Sequence, residues 1–159
     1  MRARIGYDSH RFAHDRPLVL GGVIVPDAPG LAGHSDGDAV LHAVIDALLG
    51  AAGLGSIGLL FPDTDPGLAG ADSAELLDRV VERLSAEGWR VENVDVTVVA
   101  ESPRIQPVAG KMCRRMADVL RVPVDAISVK GKTNEGMGWI GREEGLAVMA
   151  IALIDRAAD

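Results

Sequence analysis

Apolar positions change period several times along the chain, and each change marks a predicted element. Residues 2–7 read as a first strand, and 18–25 as a hairpin whose β-rich arms turn about Gly21 and Gly22. Between Ser35 and Gly53 the spacing becomes helical, with Val40, Leu41, Val44, Ile45, Leu48 and Leu49 on one stripe. Ser35 followed by Asp38 has the form of a capping box for that helix. A second helix over 72–87 carries Leu76, Leu77, Val80, Val81 and Leu84, and Gly88 closes it. Alternation returns over 91–100, where Val94, Val96 and Val98 share a face. A third helix covers 106–120, a short strand 126–129, and a last strand 146–154. That last strand is almost continuously apolar, which predicts that both of its faces are covered.

This order of elements predicts an α+β fold in two layers, a mixed β-sheet with three helices packed on one face. The other sheet face would be bare in a lone chain, so a homo-oligomer that buries it is expected. The 159 residues contain no repeat and no linker, which predicts one domain. Aromatics are only 3 %, so the core must be built from Val, Leu, Ile and Ala. A net charge of −7 argues against a nucleic-acid partner. A small polyanionic ligand is still compatible, because a few cations and a metal can reverse the local field. Cys113 is the only cysteine, which rules out an intramolecular disulfide and suits a reducing compartment. With no apolar leader and no apolar run near the ~20 residues of a membrane span, the expectation is a cytoplasmic protein without membrane contact.

The candidate chemistry sits early. All four histidines fall in the first 42 residues, as His10, His14, His34 and His42. Asp8 and His10 are two apart at the end of a strand, so both point the same way. His42 would lie about a turn and a half into the first long helix. One carboxylate and two imidazoles are ligands that zinc selects, and three protein ligands leave a position open for substrate. Asp38 and Asp46, each four residues from His42, are candidates to orient its ring. Equally, Asp-x-His is a weak motif, and His42 also reads as a hydrogen-bonded residue at the core edge. His14 reads as a solvated loop residue.

Two loops add to this. Residues 61–66 set Asp63 and Asp65 between prolines, either as an Asx-type turn or as a place to hold hydroxyls. Residues 130–136 follow a strand and carry Lys130, Lys132, Thr133 and Glu135. Phosphate needs such donors, and Glu135 beside a phosphate needs a divalent cation between them. The order is not that of a P-loop, and a solvated charged loop is the plain alternative.

Taken in sequence, Asp8 to His10, Ala32 to Asp38, His42, Asp46 to Gly50, Phe61 to Pro66, Asn93 to Thr97, Thr133 with Glu135, and Gly141 with Arg142 form an ordered set. Across nearly the whole chain this set resembles the 2-C-methyl-D-erythritol 2,4-cyclodiphosphate synthase family of the non-mevalonate isoprenoid pathway. The resemblance implies a homotrimer with sites between neighbouring subunits. It implies a phosphorus–oxygen lyase that cyclises 4-diphosphocytidyl-2-C-methyl-D-erythritol 2-phosphate and releases CMP. It implies Zn²⁺ on Asp8, His10 and His42, and a second cation, Mg²⁺ or Mn²⁺, on Glu135. His34 and Thr133 would stabilise the transition state. His34 and Ser35 with Phe61, Pro62, Asp63, Thr64 and Asp65 would line the sugar pocket, and Ser56, at a ribose-binding position, with Ile57 and Gly58 would also contact substrate.

Ala100, Glu101, Ser102, Pro103, Arg104, Ile105 and Gln106 would hold the cytidine, with Lys132 and Asn134 nearby. Trp139 and Arg142 would face a central trimer cavity, which in some relatives binds an isoprenoid diphosphate. The chain departs from the family pattern at four of these positions. Ser56 stands where an acidic residue is usual, which predicts weaker ribose binding. Arg104 replaces a commoner Lys, Lys132 a common Thr, and Trp139 a common Phe. The competing readings are a metal-dependent phosphohydrolase and a trimeric module that binds nucleotide or isoprenoid diphosphate without turnover.

Overall fold

The computed structural model describes residues 1–157. It has strands β1 (Arg2–Leu20) and β2 (Val23–Leu31), then helices α1 (Ala39–Ala52), α2 (Ile57–Leu60) and α3 (Ser73–Ala86). Strand β3 (Trp89–Val99), helix α4 (Gln106–Leu120), strand β4 (Ile127–Lys132), helix α5 (Gly138–Gly141) and strand β5 (Gly145–Arg156) complete it. The sheet order is β2-β1-β5-β3-β4, mixed as expected. β5 lies antiparallel between β1 and β3, while β3 and β4 are parallel. A parallel pair needs a crossover, and α4 supplies it.

The core is a continuous apolar layer between the sheet and α1, α3 and α4. Of β5, Leu146, Val148, Ala150, Ala152 and Ile154 are buried in it. The opposite face is a different matter. Met149 and Ile151 are 40 % and 50 % exposed, and their β1 neighbours Tyr7 and Ile5 are 55 % and 62 % exposed. Within the single chain one face of the last strand is covered by helices and the other is open, as expected for a sheet with helices on one face only.

Two boundaries also move. β1 runs to Leu20 rather than ending near Tyr7, because backbone pairing first with β5 and then with β2 holds its polar middle extended. His14 accordingly lies in a strand, though exposed as expected. α1 begins later than Ser35. Its cap is Asp38, whose carboxylate accepts the Leu41 N–H at 3.0 Å, while Ser35 Oγ accepts from Gly37 N instead. No Ser35–Asp38 capping box forms. The hairpin turn at Gly21 and Gly22 is as read, with φ of 60° and 71°.

Candidate metal centre and flanking cavities

α1 crosses β1 at Gly6, where the absence of a side chain lets the Ala43 carbonyl approach the strand. That contact places His42, one residue before Ala43, above Asp8 and His10. The latter two alternate on β1 opposite Val148 and Leu146, so their side chains point to the helix face. They lie mid-strand rather than at its end, and the same-face reading holds. His42 sits just over one turn into α1, its N–H donating to the Asp38 carbonyl.

The three side chains converge. His10 Nδ1 is 2.9 Å and His42 Nδ1 3.1 Å from Asp8 Oδ2, and the two rings lie 5.3 Å apart. All three candidate ligand atoms fall within 4.8 Å of one another. Ligand atoms around a tetrahedral zinc sit about 3.3 Å apart, so the spacing fits. His10 Nδ1 also has no aligned hydrogen-bond partner although it is buried, its contact with Asp8 being close but poorly directed. A buried lone pair left in that state costs stability unless a cation takes it. The donor set therefore suits a borderline metal.

Burial pushes Asp8 up, but the two imidazoles of His10 and His42 beside it outweigh this and hold the carboxyl below its ordinary value. Burial likewise pushes His42 down, yet pairing with Asp8 holds the imidazole above its ordinary value. A metal taking the His42 nitrogen would compete with a proton for it.

Neither acidic neighbour expected to orient His42 does so by hydrogen bonding. Asp38 accepts from Gly21 N, Gly22 N and Leu41 N, and Asp46 accepts from Ile57 N. The helical spacing is right, but backbone donors claim both carboxylates. The partners of His42 Nε2 are instead Ser35 Oγ at 3.1 Å and Ser73 Oγ at 3.0 Å. Ser73 and its partner Asp36 escaped the sequence reading, which took the segment opening at Asp72 only as a helix start.

Next to the cluster lies a cavity of about 300 Å³ lined by His34, Ser35, His42, Ile57, Gly58, Phe61, Pro62 and Asp63, with Leu68 and Leu76 as its unforeseen apolar wall. Phe61 is backed by the Arg79 guanidinium 4.8 Å from its ring. His34 Nε2 lies 3.3 Å from the Asp65 carbonyl oxygen. Arg16 donates to the carbonyls of Gly33 and Ser35, clamping the backbone on both sides of His34. Ser56 stands at the head of α2 without a side-chain cap bond, and Thr64 is an exposed turn residue; neither lines the cavity.

A second cavity of about 320 Å³ gathers Ala100, Glu101, Pro103, Arg104, Ile105, Gln106, Lys132 and Thr133. Ser102 belongs to the same loop. One Glu101 oxygen accepts from Asn134 N and Gly136 N, so Glu101 staples the 133–136 turn to the 100–106 loop. Thr133 Oγ1 donates to Glu135 Oε1 at 2.9 Å. Lys130 plays no part there, being paired with Asp95 across β3 and β4. Trp139 lines a separate hollow with Ser9, His10, Arg11 and Glu144, and Arg142 pairs with Glu144 at 2.7 Å.

Fold and site together define a two-layer α+β protein with an Asp-His-His cluster able to hold a metal beside a largely apolar cavity. Its sequence matches the YgbB family model over residues 1–155. It is 58 % identical to the 2-C-methyl-D-erythritol 2,4-cyclodiphosphate synthase of Gemmatimonas aurantiaca, over 97 % of this chain and 93 % of that one. The bifunctional IspDF of Campylobacter jejuni superposes with a TM-score of 0.94 at 40 % identity, covering 99 % of this chain and 42 % of that longer one. IspF of Plasmodium falciparum, solved as a CDP complex, superposes with a TM-score of 0.86 at 32 % identity over 99 % and 97 % of the two chains. The chain belongs to the YgbB family, alongside the 2-C-methyl-D-erythritol 2,4-cyclodiphosphate synthases.

Proposed function

We propose that the chain converts 4-diphosphocytidyl-2-C-methyl-D-erythritol 2-phosphate to 2-C-methyl-D-erythritol 2,4-cyclodiphosphate with release of CMP, in the non-mevalonate isoprenoid pathway. The observation that carries this reading is the converging Asp8, His10 and His42 beside the His34–Ser35 cavity. Residues 1–159 act as one cyclodiphosphate synthase domain.

The nucleophile of this lyase reaction is already an anionic phosphate, so no activated side chain is needed. What the protein must do is fold one anion back on another and hold them in line. Asp8, His10 and His42 would hold Zn²⁺ and Glu135 would help hold Mg²⁺ or Mn²⁺; when bound, these supply the positive charge that offsets the repulsion and stabilises the leaving group. A single carboxylate such as Glu135 suits the second ion, since magnesium is usually held by one or two carboxylates and substrate phosphates. His34 and Thr133 donate hydrogen bonds to the reacting phosphates. Ser35, Ile57, Gly58, Phe61, Pro62 and Asp63 close around the sugar and exclude water, and the 64–65 turn lies at the rim. Ala100 to Gln106, with Lys132 and Asn134, take the cytidine, and Ser56 offers a neutral hydroxyl to the ribose.

Strand register supports assembly as a homotrimer. Asp8, Val148, Val98 and Gly131 form one row across four strands. Three strand spacings separate Asp8 from Gly131 by about 14 Å, too far for both ends of the row to grip one diphosphate. A neighbouring copy can bring its own 130–135 segment to the metal cluster. The bare face around Ile5, Tyr7, Met149 and Ile151 gives that neighbour an apolar surface. Trp139 and Arg142 then face the trimer centre, where an isoprenoid diphosphate would bind. A cytoplasmic location accords with the lone Cys113. No described helix is long and apolar enough to cross a membrane.

Phosphorus NMR of the chain with the cytidine-linked substrate tests the reading. The cyclic diphosphate and CMP should appear together; a linear hydrolysis product would make the protein a phosphohydrolase.

A further inference from the structure

Ser73, fully buried at the first position of α3, has no role in the chemistry above, yet it touches a metal-ligand candidate. Its Oγ lies 2.5 Å from Asp36 Oδ1 and 3.0 Å from His42 Nε2. A carboxylate only accepts hydrogen bonds, so the Ser73 hydroxyl proton goes to Asp36. Toward His42 the hydroxyl then has only lone pairs to offer. The proton between them must therefore sit on Nε2, leaving the lone pair of a neutral ring on Nδ1. Nδ1 is the atom facing Asp8.

Asp36 is itself fixed. Its carboxylate accepts from Asp38 N at 3.1 Å and Ser73 N at 3.0 Å, and its own N–H donates to the Ala71 carbonyl. Ser35 Oγ accepts from Gly37 N and lies 3.1 Å from the same His42 nitrogen, which makes it a second acceptor there. That arrangement leaves the Ser35 hydroxyl proton free for the cavity it lines.

We propose that Asp36 and Ser73 are positioning residues for the metal, a carboxylate–hydroxyl relay that holds His42 with Nε2 as donor and Nδ1 as ligand atom. The relay rests on the metal reading given above. Partners of this kind fix ring orientation and strengthen the ligand, and losing one lowers metal affinity about 10- to 100-fold.

The test measures Zn²⁺ affinity of the full chain by competition with a chromophoric chelator, on the parent and on His42→Ala, Ser73→Ala, Asp36→Asn and Ser73→Ala/Asp36→Asn. Circular dichroism of each metal-free variant checks folding. Ser73→Ala should bind zinc about 10- to 100-fold more weakly, and the double variant no more weakly than Ser73→Ala. The Co²⁺ absorption spectrum of Ser73→Ala should also shift from the parent's. Affinity within about twofold of the parent, or losses that multiply in the double variant, overturn the relay.

Should Ser73→Ala fail to fold, the zinc-loaded parent still decides. Its His42 Nε2 proton should exchange slowly enough to be seen by NMR, and a proton lost to rapid exchange overturns the relay. A parent that binds no zinc, or binds it equally well as His42→Ala, removes the metal reading and the relay with it. A parent that needs His42 for zinc but not Ser73 removes the relay alone.

Discussion

A β-carbon on Gly6 would lie 1.9 Å from the Ala43 carbonyl oxygen, so α1 and β1 touch backbone to backbone one residue away from His42. The metal cluster depends on that contact, since it sets the height of His42 above Asp8 and His10.

Gly6→Ala should push α1 off the strand. Overpacking of this kind costs about 1–3 kcal/mol. It should also part His42 from its two partners, so zinc affinity should fall together with the urea midpoint. A variant with the parent's midpoint and affinity would show that the helix can shift without cost to the site.

Asp38 holds α1 to the β1–β2 turn through Leu41 N, Gly21 N and Gly22 N, and it is fully buried. Removing the carboxylate in Asp38→Ala loses the helix cap and orphans two further N–H groups, at about 3 kcal/mol in total. Denaturant unfolding measures this directly. Burial pushes Asp38 up to about 6. A raised folded pKa contributes stability below the ordinary value of 3.8 and loses it as pH rises through about 6. Between pH 4 and 7 the parent should therefore lose stability relative to Asp38→Asn, which cannot ionise.

His42 and Asp8 shift in opposite directions and bracket a pH window. The raised His42 contributes stability to the metal-free chain below 6.5, and this is lost as pH rises through its folded value. The depressed Asp8 contributes above 3.8, and this is lost as pH falls through its folded value. Zinc uptake near pH 6.5 should release a proton from His42. Calorimetry in two buffers of different ionisation enthalpy checks it: equal apparent binding enthalpies would mean no proton is released.

Ile151→Asp places a charge in the middle of the bare sheet face beside Ile5. If the proposed trimer holds, light scattering should give a trimer mass for the parent and a monomer mass for the variant, with turnover lost as a site between subunits requires. A monomeric parent would end the shared-site reading.

Much of this protein could be read along its length. The stripe from Val40 to Leu49 and the alternation of Val94, Val96 and Val98 are local periodicities, and each element forms where its own residues demand it. Asp8 and His10 share a face because strand geometry alternates, whatever the rest of the fold does. What took tertiary structure was everything that depends on competition between distant groups. Asp38 and Asp46 have the spacing to orient His42, but backbone N–H groups of the β1–β2 turn and of Ile57 reach them first. Ser73, 31 residues beyond His42, becomes its partner only because α3 begins against the Asp36 loop. The apolar run of β5 showed in sequence that both of its faces call for cover, but only the fold separates Leu146, Val148 and Ala150 under α1 from Met149 and Ile151 on the open face, because a helix and any other partner select the same side chains. Periodicity determined the elements and one face of the site; packing decided which polar groups meet, since each donor and acceptor can be spent on few partners and only the folded chain ranks them.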